Sequence, residues 1–571
     1  MAMVQLRDVT RRLRRGGARE DVSAGLVLGL ESVPDGLASG VLAGVNPLYG
    51  LYAYLFGTLA GAVTTSSTFM VVQATGAMAV IVADIPQVHA GGPEGDAALF
   101  TLAFLTGAIM LVLGLARVGP LVRFVPNAVM TGFVNAIALN IVLGQLDDLT
   151  GYASQGPNRI LRAIDTARNA GSWSTSAVIV GGLTMLLIVI LERTRLDALG
   201  IVVAIAVTSA LTSTLDLTAV EILRDLTDVP NALPTPVLPD PSLVGALILP
   251  AVSLAFVGAV QGAAISSSIP NQDGTYPDVS GDLRGQGIGS IVAGVFQGLP
   301  VAGSLSATGL VRTAGARTRL ATLSAAAIGM ATVLLFAGLV GYVATPALAG
   351  LLIIVGIRTL KPDRVRMVWR TGIVQATVLA TTFVLTMIIP LQYAVLVGVA
   401  LAIVLHVVQQ SNHITIRRRV FDPSSRWPSE EDPPAEIPPD EIVVLQPYGS
   451  LFFAAAPIFS EQLPNVTQRS HGAVVIIRLR GKEDIGSTFI GVVTTYAQRL
   501  HAAGARLLLA GVSEQVHAQL HDTGAIDIIG RDNVFPASPS VGEAVQQAMN
   551  AAHSWTGTAP DESGPPSPSP P

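Results

Sequence analysis

The feature that most limits what this chain can fold into is a series of hydrophobic segments between residues 22 and about 410. There are roughly fourteen of them, each about 12 to 24 residues long, where a helix needs about 20 apolar residues to cross a bilayer and fewer if it stops half-way. Charge points the same way: 13 % of the residues are charged, against about 25 % in ordinary soluble domains. The reading is a polytopic α-helical membrane protein embedded in the lipid bilayer, with a soluble attachment, rather than a soluble enzyme. Cysteine is absent, so disulfides, thiolate metal sites and cysteine nucleophiles drop out together. The 8 histidines have no ligand spacing, which gives a metal no expected site. No nucleophile-base pair and no cofactor motif are visible, and no basic face interleaved with aromatics suggests nucleic acid.

Residues 1–21 carry Arg7, Arg11, Arg12, Arg14, Arg15 and Arg19 with no apolar stretch and cleavage site, which reads as a retained basic arm on the cytoplasmic side. With that orientation the inner loops hold 13 further Lys and Arg residues and the outer loops 4, namely Arg159, Arg162, Arg168 and Arg224. The positive-inside rule therefore supports an even number of spans with both termini inside. Fourteen spans over residues 22–410 divide into seven plus seven, and an odd repeat length turns the second half upside down relative to the first. The third segment (69–85) and the tenth (303–315) are short or interrupted, fall at matching places in the two halves, and read as half-helices. Residues 411–440, rich in proline and acid from Phe421 onward, are expected to form a semi-rigid linker. A soluble α/β domain follows over 441–552, with strands at 441–446, 473–479 and 506–510 and helices at 489–503 and 541–552. Residues 553–571 read as a disordered Ser/Pro tail.

Polar groups inside the spans are the informative ones, because a carboxylate at mid-membrane costs roughly 2.5 to 3.5 kcal/mol on insertion scales. Glu31 and Asp35 lie four apart in the first span, on one helical face beside Pro34 and Gly36. Two such carboxylates repel, so a shared proton or cation suits them, and Asp35, nearer mid-span, is the stronger candidate. In the third segment Gln73, Ala74, Thr75, Gly76 and Ala77 place an amide, a hydroxyl and an unhindered backbone together; in the tenth, Gly303, Ser304 and Leu305 do the same. A buried half-helix offers unpaired N–H groups and the positive end of its dipole, so two facing each other make a cradle for an anion without any arginine. The competing reading is that small residues merely let helices pack closely. Gln261, in the eighth span, is the polar counterpart of Asp35. Asn127, Asn135 and Asn140 read as structural hydrogen-bonders, and Gly285-Gln286-Gly287-Ile288-Gly289 lacks the strand and acid that a dinucleotide fingerprint needs.

These residues carry a family resemblance. Pro34-Asp35 followed by Pro47-Leu48-Tyr49-Gly50-Leu51-Tyr52, and the stretch from Gly285 to Ala321 with its Gly298-Leu299-Pro300 lead-in and Ala314-Gly315-Ala316-Arg317-Thr318 turn, resemble the SulP anion transporters. The soluble domain resembles the STAS domain that ends most SulP chains. The resemblance implies a core domain (spans 1 to 4 and 8 to 11) and a gate domain (spans 5 to 7 and 12 to 14), an anion between half-helices 3 and 10, elevator-like movement and a homodimer. By position it places Asp35, Gln73 to Ala77, Gln261 and Gly303 to Leu305 around the anion. Gln261 stands where members usually carry an acid, which removes a sodium ligand and leaves Asp35 to carry a proton. Ala307 replaces a frequent arginine, and Gly486 stands at the phosphoacceptor position of the turn Asp484-Ile485-Gly486-Ser487-Thr488.

The expectation is a secondary transporter of a small inorganic oxyanion, of the sulfate or bicarbonate class, in the cytoplasmic (inner) membrane of a bacterium. Coupling is expected to a proton, with sodium as the other candidate cation and Glu31 beside Asp35. The alternatives are a membrane-anchored anion sensor signalling through the STAS-like domain, or a dicarboxylate or nucleobase transporter of the same architecture.

Overall fold

The structure, a computed structural model, describes residues 18–557 except 121–124, 195, 197–198, 216, 228–229, 390, 412–413, 422–427 and 452. Most of the expected basic arm and the tail from 558 onward lie outside the described residues. The chain divides into two units, Met1–Ala402 and Ile403–Pro571.

The first unit opens with α1 (Ala18–Leu42), α2 (Pro47–Thr64), the three-residue strand β1 (Val71–Gln73), the short helix α3 (Gly76–Val82) and the long helix α4 (Gly92–Leu115). Then come α5 (Asn127–Gly144), α6 (Leu146–Thr150), α7 (Arg159–Arg168), α8 (Thr175–Leu191) and α9 (Leu199–Thr214). The opening order recurs as α10 (Val244–Ser268), α11 (Val279–Val295), β2 (Ala302–Ser304), α12 (Leu305–Thr313) and α13 (Leu320–Val340). The unit closes with α14 (Thr345–Thr359), α15 (Pro362–Thr371) and α16 (Ile373–Ile388), and α17 (Leu391–Ser411) leads out of it. Among the described residues, 6 helical stretches are long and apolar enough to cross a membrane. Three shorter apolar helices accompany them, α8, α9 and α16.

Small residues set how closely these helices approach. One close approach is that of α4 to α11, where a Cβ on Gly287 would stand 2.6 Å from the Leu111 nitrogen and 2.7 Å from the Gly107 oxygen. Both obstacles are backbone, so only glycine allows that separation. The same closeness brings α11 against the interrupted segments.

The second unit holds a six-stranded sheet ordered β4-β3-β5-β6-β7-β8. Its strands are β3 (Thr415–Val420), β4 (Ser429–Glu431), β5 (Ile442–Tyr448), β6 (Val474–Arg478), β7 (Arg506–Val512) and β8 (Val534–Pro536). β5 to β8 pair in parallel, and β3 and β4 add an antiparallel edge. The helices are α18 (Ala456–Gln462), α19 (Gly486–Ala502), α20 (Glu514–Asp522), α21 (Ala525–Ile529) and α22 (Glu543–Thr556). One sheet face packs Val443, Leu445, Val475 and Ile477 against Phe459, Phe489 and Val493; the other is covered by α22.

Two boundaries are corrected. The segment 411–440 is not a linker throughout, because β3 and β4 belong to the sheet and Ile437 is buried in the core. Among its described residues Ile414, Ile416 and Ile437 enter that core, while the consecutive Arg417, Arg418 and Arg419 pair with Asp432, Glu441 and Glu430. The final helix also runs to Thr556 rather than ending at 552.

Candidate functional site

The two interrupted segments meet. β1 and β2 pair antiparallel, with Val71 opposite Ser304, Val72 opposite Gly303 and Gln73 opposite Ala302, and all six residues are buried. Inside a membrane unit a broken helix must find partners for its freed backbone groups, and here the strands supply some to each other while Gln286, Thr308 and Thr58 side chains take up others. β2 runs directly into α12 and β1 reaches α3 through Ala74 and Thr75, so antiparallel pairing sets the N-termini of α3 and α12 at opposite ends of one ladder about 10 Å long.

The ends of these helices are capped by the residues the sequence singles out. Thr75 Oγ1 accepts from the Met78 N–H at 3.3 Å, and Ser304 Oγ accepts from the Ala307 N–H at 3.3 Å. That leaves the N–H groups of Gly76 and Ala77, and of Leu305 and Ser306, with no carbonyl of their own helix to bond. They carry the positive end of each dipole. Leu305 is 57 % exposed, so it offers backbone rather than a packed side chain, whereas Ala74 and Ala77 are buried. Thr75 also donates to Gln261 Oε1 at 3.1 Å, which joins the expected eighth-span residue to the third segment. Gln73 is buried and its Oε1 has no partner among the described residues.

Asp35 and Glu31 lie on α1, which packs against both α3 and α12. Tyr54 donates to Asp35 Oδ2 at 2.5 Å, and its hydroxyl also lies 3.4 Å from Ser39 Oγ. Glu31 Oε2 is buried without a hydrogen-bond partner. Neither carboxylate bonds the ladder itself among the described residues. Asn135 donates to the Thr131 carbonyl and accepts from the Lys361 N–H, and Asn140 donates to the Thr386 carbonyl.

What sequence reasoning missed is a polar stripe on α11 that holds both segments. Asp282, Gln286 and Ser290 recur every four residues and so share one face. Asp282 accepts from Ser66 Oγ at 2.8 Å, the Ser67 N–H at 2.7 Å and Ser266 Oγ at 2.7 Å, fixing the approach to β1. Gln286 Oε1 accepts from the Gly303 N–H at 2.9 Å, and Ser290 Oγ from the Val301 N–H at 3.4 Å, fixing the approach to β2. Arg319, also buried, donates to the Ala62 and Thr65 carbonyls at the end of α2. The available signal was the period-four spacing of polar residues in a glycine-rich helix; the Gly-x-Gly look of the same stretch drew attention to nucleotide chemistry instead. A cavity of about 550 Å³ opens beside the start of β1, lined by Phe69, Asn271, Arg312 and Arg317 among others.

The fold and the ladder together define a helical membrane unit built around two broken segments, of the kind in which ions and solutes bind at unwound backbone, followed by a separate α/β domain. Residues 19–382 match the Sulfate permease family and residues 433–544 match the STAS domain. The chain belongs to the sulfate permease family and carries a STAS domain. It is 26 % identical over 555 residues to the probable sulfate transporter MT1781 of Mycobacterium tuberculosis, covering 95 % of this chain and 98 % of that one. The bicarbonate transporter BicA of Picosynechococcus is 26 % identical over 419 residues, 71 % of this chain and 73 % of BicA. The structure of murine Slc26a9, an anion transporter in the inward-facing state, shares the fold with a TM-score of 0.82 at 19 % identity, over 94 % of this chain and 91 % of that one.

Proposed function

We propose that this protein is a secondary transporter of a small oxyanion, of the sulfate or bicarbonate class, with the anion held between the N-termini of α3 and α12. The observation that carries this reading is the buried ladder of β1 and β2, which joins two capped half-helices at corresponding places in the chain. Backbone N–H groups and dipole ends favour negative charge while adding no fixed cation to trap it. Gln73, Thr75 and Gln261 supply polar side chains beside that backbone, and Gly303 keeps the ladder centre open. Membership of the family, and the sulfate and bicarbonate transporters among the relatives, support the substrate class.

In this reading the halves are inverted repeats, the core carrying α3 and α12 moves as an elevator against the remaining helices, and the protein works as a homodimer in the bacterial inner membrane with both termini inside. Asp35, assisted by Glu31, takes up the co-transported proton. Substitution tests the location of the anion. A Cβ on Gly303 meets Ile265 at 3.0 Å and Met70 Sδ at 3.2 Å, so Gly303→Val is expected to abolish uptake into proteoliposomes and Gln73→Ala to weaken anion binding. Uptake unchanged in both variants would place the anion elsewhere; inhibition by uracil rather than by unlabelled oxyanions would assign a nucleobase substrate.

A further inference from the structure

The soluble unit gathers positive charge that the membrane site does not use. Where α22 covers the sheet, the face is apolar: Val444, Val474, Ile476, Leu508 and Ala510 pack against Val545, Ala548 and Ala552. Toward the C-terminal ends of β5 and β6 the same face turns polar. The register sets Arg417 opposite Gln446 and Arg419 opposite Val444, and the parallel pairing of Leu445 with Ile477 brings Arg478 beside Gln446. Arg478 donates to Gln446 Oε1 at 2.9 Å. Arg480, two residues on, donates to the Ser538 carbonyl at 2.9 Å and the Ser540 carbonyl at 3.3 Å, just ahead of the N-terminus of the 14-residue helix α22.

The local charges do not cancel. Arg417 pairs with Asp432, and Arg419 pairs with Glu430 at 3.4 Å, a carboxylate that Tyr448 also bonds. Glu543 accepts from Ser538 Oγ at 2.6 Å. Arg478 and Arg480 have no carboxylate partner among the described residues, and the Nε atoms of Arg419 and Arg478 are buried and bond nothing. Burial, and then the neighbouring Arg419 and Arg480, hold the Arg478 guanidinium below its ordinary pKa. Like charges assembled at the expense of mutual repulsion mark a place arranged to receive the opposite sign. The guanidinium fork matches the paired oxygens of a tetrahedral oxyanion, and the C-terminal ends of parallel strands beside a helix N-terminus are where α/β sheets hold such groups.

We propose that this face of the STAS domain, centred on Arg478 and flanked by Arg419 and Arg480, binds a small oxyanion of the phosphate or sulfate class, with Glu430 as the carboxylate that the anion competes against. The site lies wholly within the second unit and stands whether or not the transport reading does. The test is amide hydrogen exchange on the full chain in detergent, with inorganic phosphate, pyrophosphate and sulfate as probes and chloride at matched ionic strength as control. Peptides over 415–420, 474–480 and 538–546 are expected to exchange several-fold more slowly with an oxyanion than with chloride. Arg478→Gln should raise the half-saturating concentration by roughly tenfold, Arg478→Lys should retain part of the protection, and Glu430→Gln should lower the concentration needed. Protection by phosphate or pyrophosphate alone assigns a phosphate compound; protection by sulfate as well assigns the proposed cargo class itself. No slowing with any probe, equal slowing with chloride, or slowing that survives Arg478→Gln overturns the proposal.

Discussion

Asp35 is the side chain on which the proposed coupling turns. It keeps a carboxyl in a span otherwise poor in charge, held by Tyr54 at 2.5 Å, and such groups are retained in membranes when they move ions or protons. Asp35→Asn is expected to remove proton-driven accumulation while anion exchange continues, measured as uptake with and without an imposed gradient. Thr75 combines two tasks, capping α3 and bonding Gln261. Loss of a cap costs about 1 kcal/mol, so Thr75→Ala should raise the half-saturating anion concentration by about fivefold, with Thr75→Ser restoring it. In the soluble unit, Gln519 and the Gly486 N–H hold the Asp484 carboxyl below its ordinary range. A depressed folded value stabilises the turn above the unfolded pKa and is lost as the pH falls through the folded one. The protection of the amides of residues 484–488, measured as exchange relative to the intrinsic rate at each pH, is therefore expected to fall below about pH 4, and Asp484→Asn to abolish that acid dependence. The residue types at the half-helices were legible because Thr and Ser before a short apolar run announce a cap. The partner of Asp35 was not, since nothing in sequence spacing ties Tyr54 to a residue one helix earlier.

Among the elements, α11 organises both broken segments. Gln286→Leu would leave the Gly303 N–H buried without its acceptor, a loss of roughly 1 to 3 kcal/mol; uptake should fall sharply in a protein that still purifies folded. Gly287→Ala acts differently, forcing a Cβ against the backbone of α4 at Leu111 and Gly107. Overpacking of this kind costs about 1 to 3 kcal/mol, so the detergent-solubilised protein should unfold at a lower temperature, read by thermal denaturation. Long apolar runs gave away the span-length helices, and glycine and polar interruptions gave away segments 69–85 and 303–315. That the interruptions would form a paired ladder is a tertiary fact, since three-residue strands carry no periodicity to read. The edge of the soluble sheet escaped for a related reason: Ile414 and Ile416 are two apolar residues in an arginine-rich, proline-flanked stretch, and pairing with β4 and β5 makes that stretch a strand.

For the whole molecule, the order helix, helix, strand, short helix and long helix recurs in two halves, an arrangement found in many transporters that work by alternating access, and the proposed transport reading rests on it, since a sensor would need only one change of state. The family was legible in the resemblance to SulP chains, and the proposed substrate class rests on the sign that helix N-termini select, while the identity of the anion was not legible because backbone dipoles fix charge more firmly than shape. The most direct measurement is uptake of radiolabelled sulfate, bicarbonate, chloride and succinate into proteoliposomes, with and without an inward proton gradient. Accumulation of sulfate or bicarbonate only when the gradient is present is the predicted result; saturable binding of an anion with no accumulation of any would contradict it and make the protein a sensor.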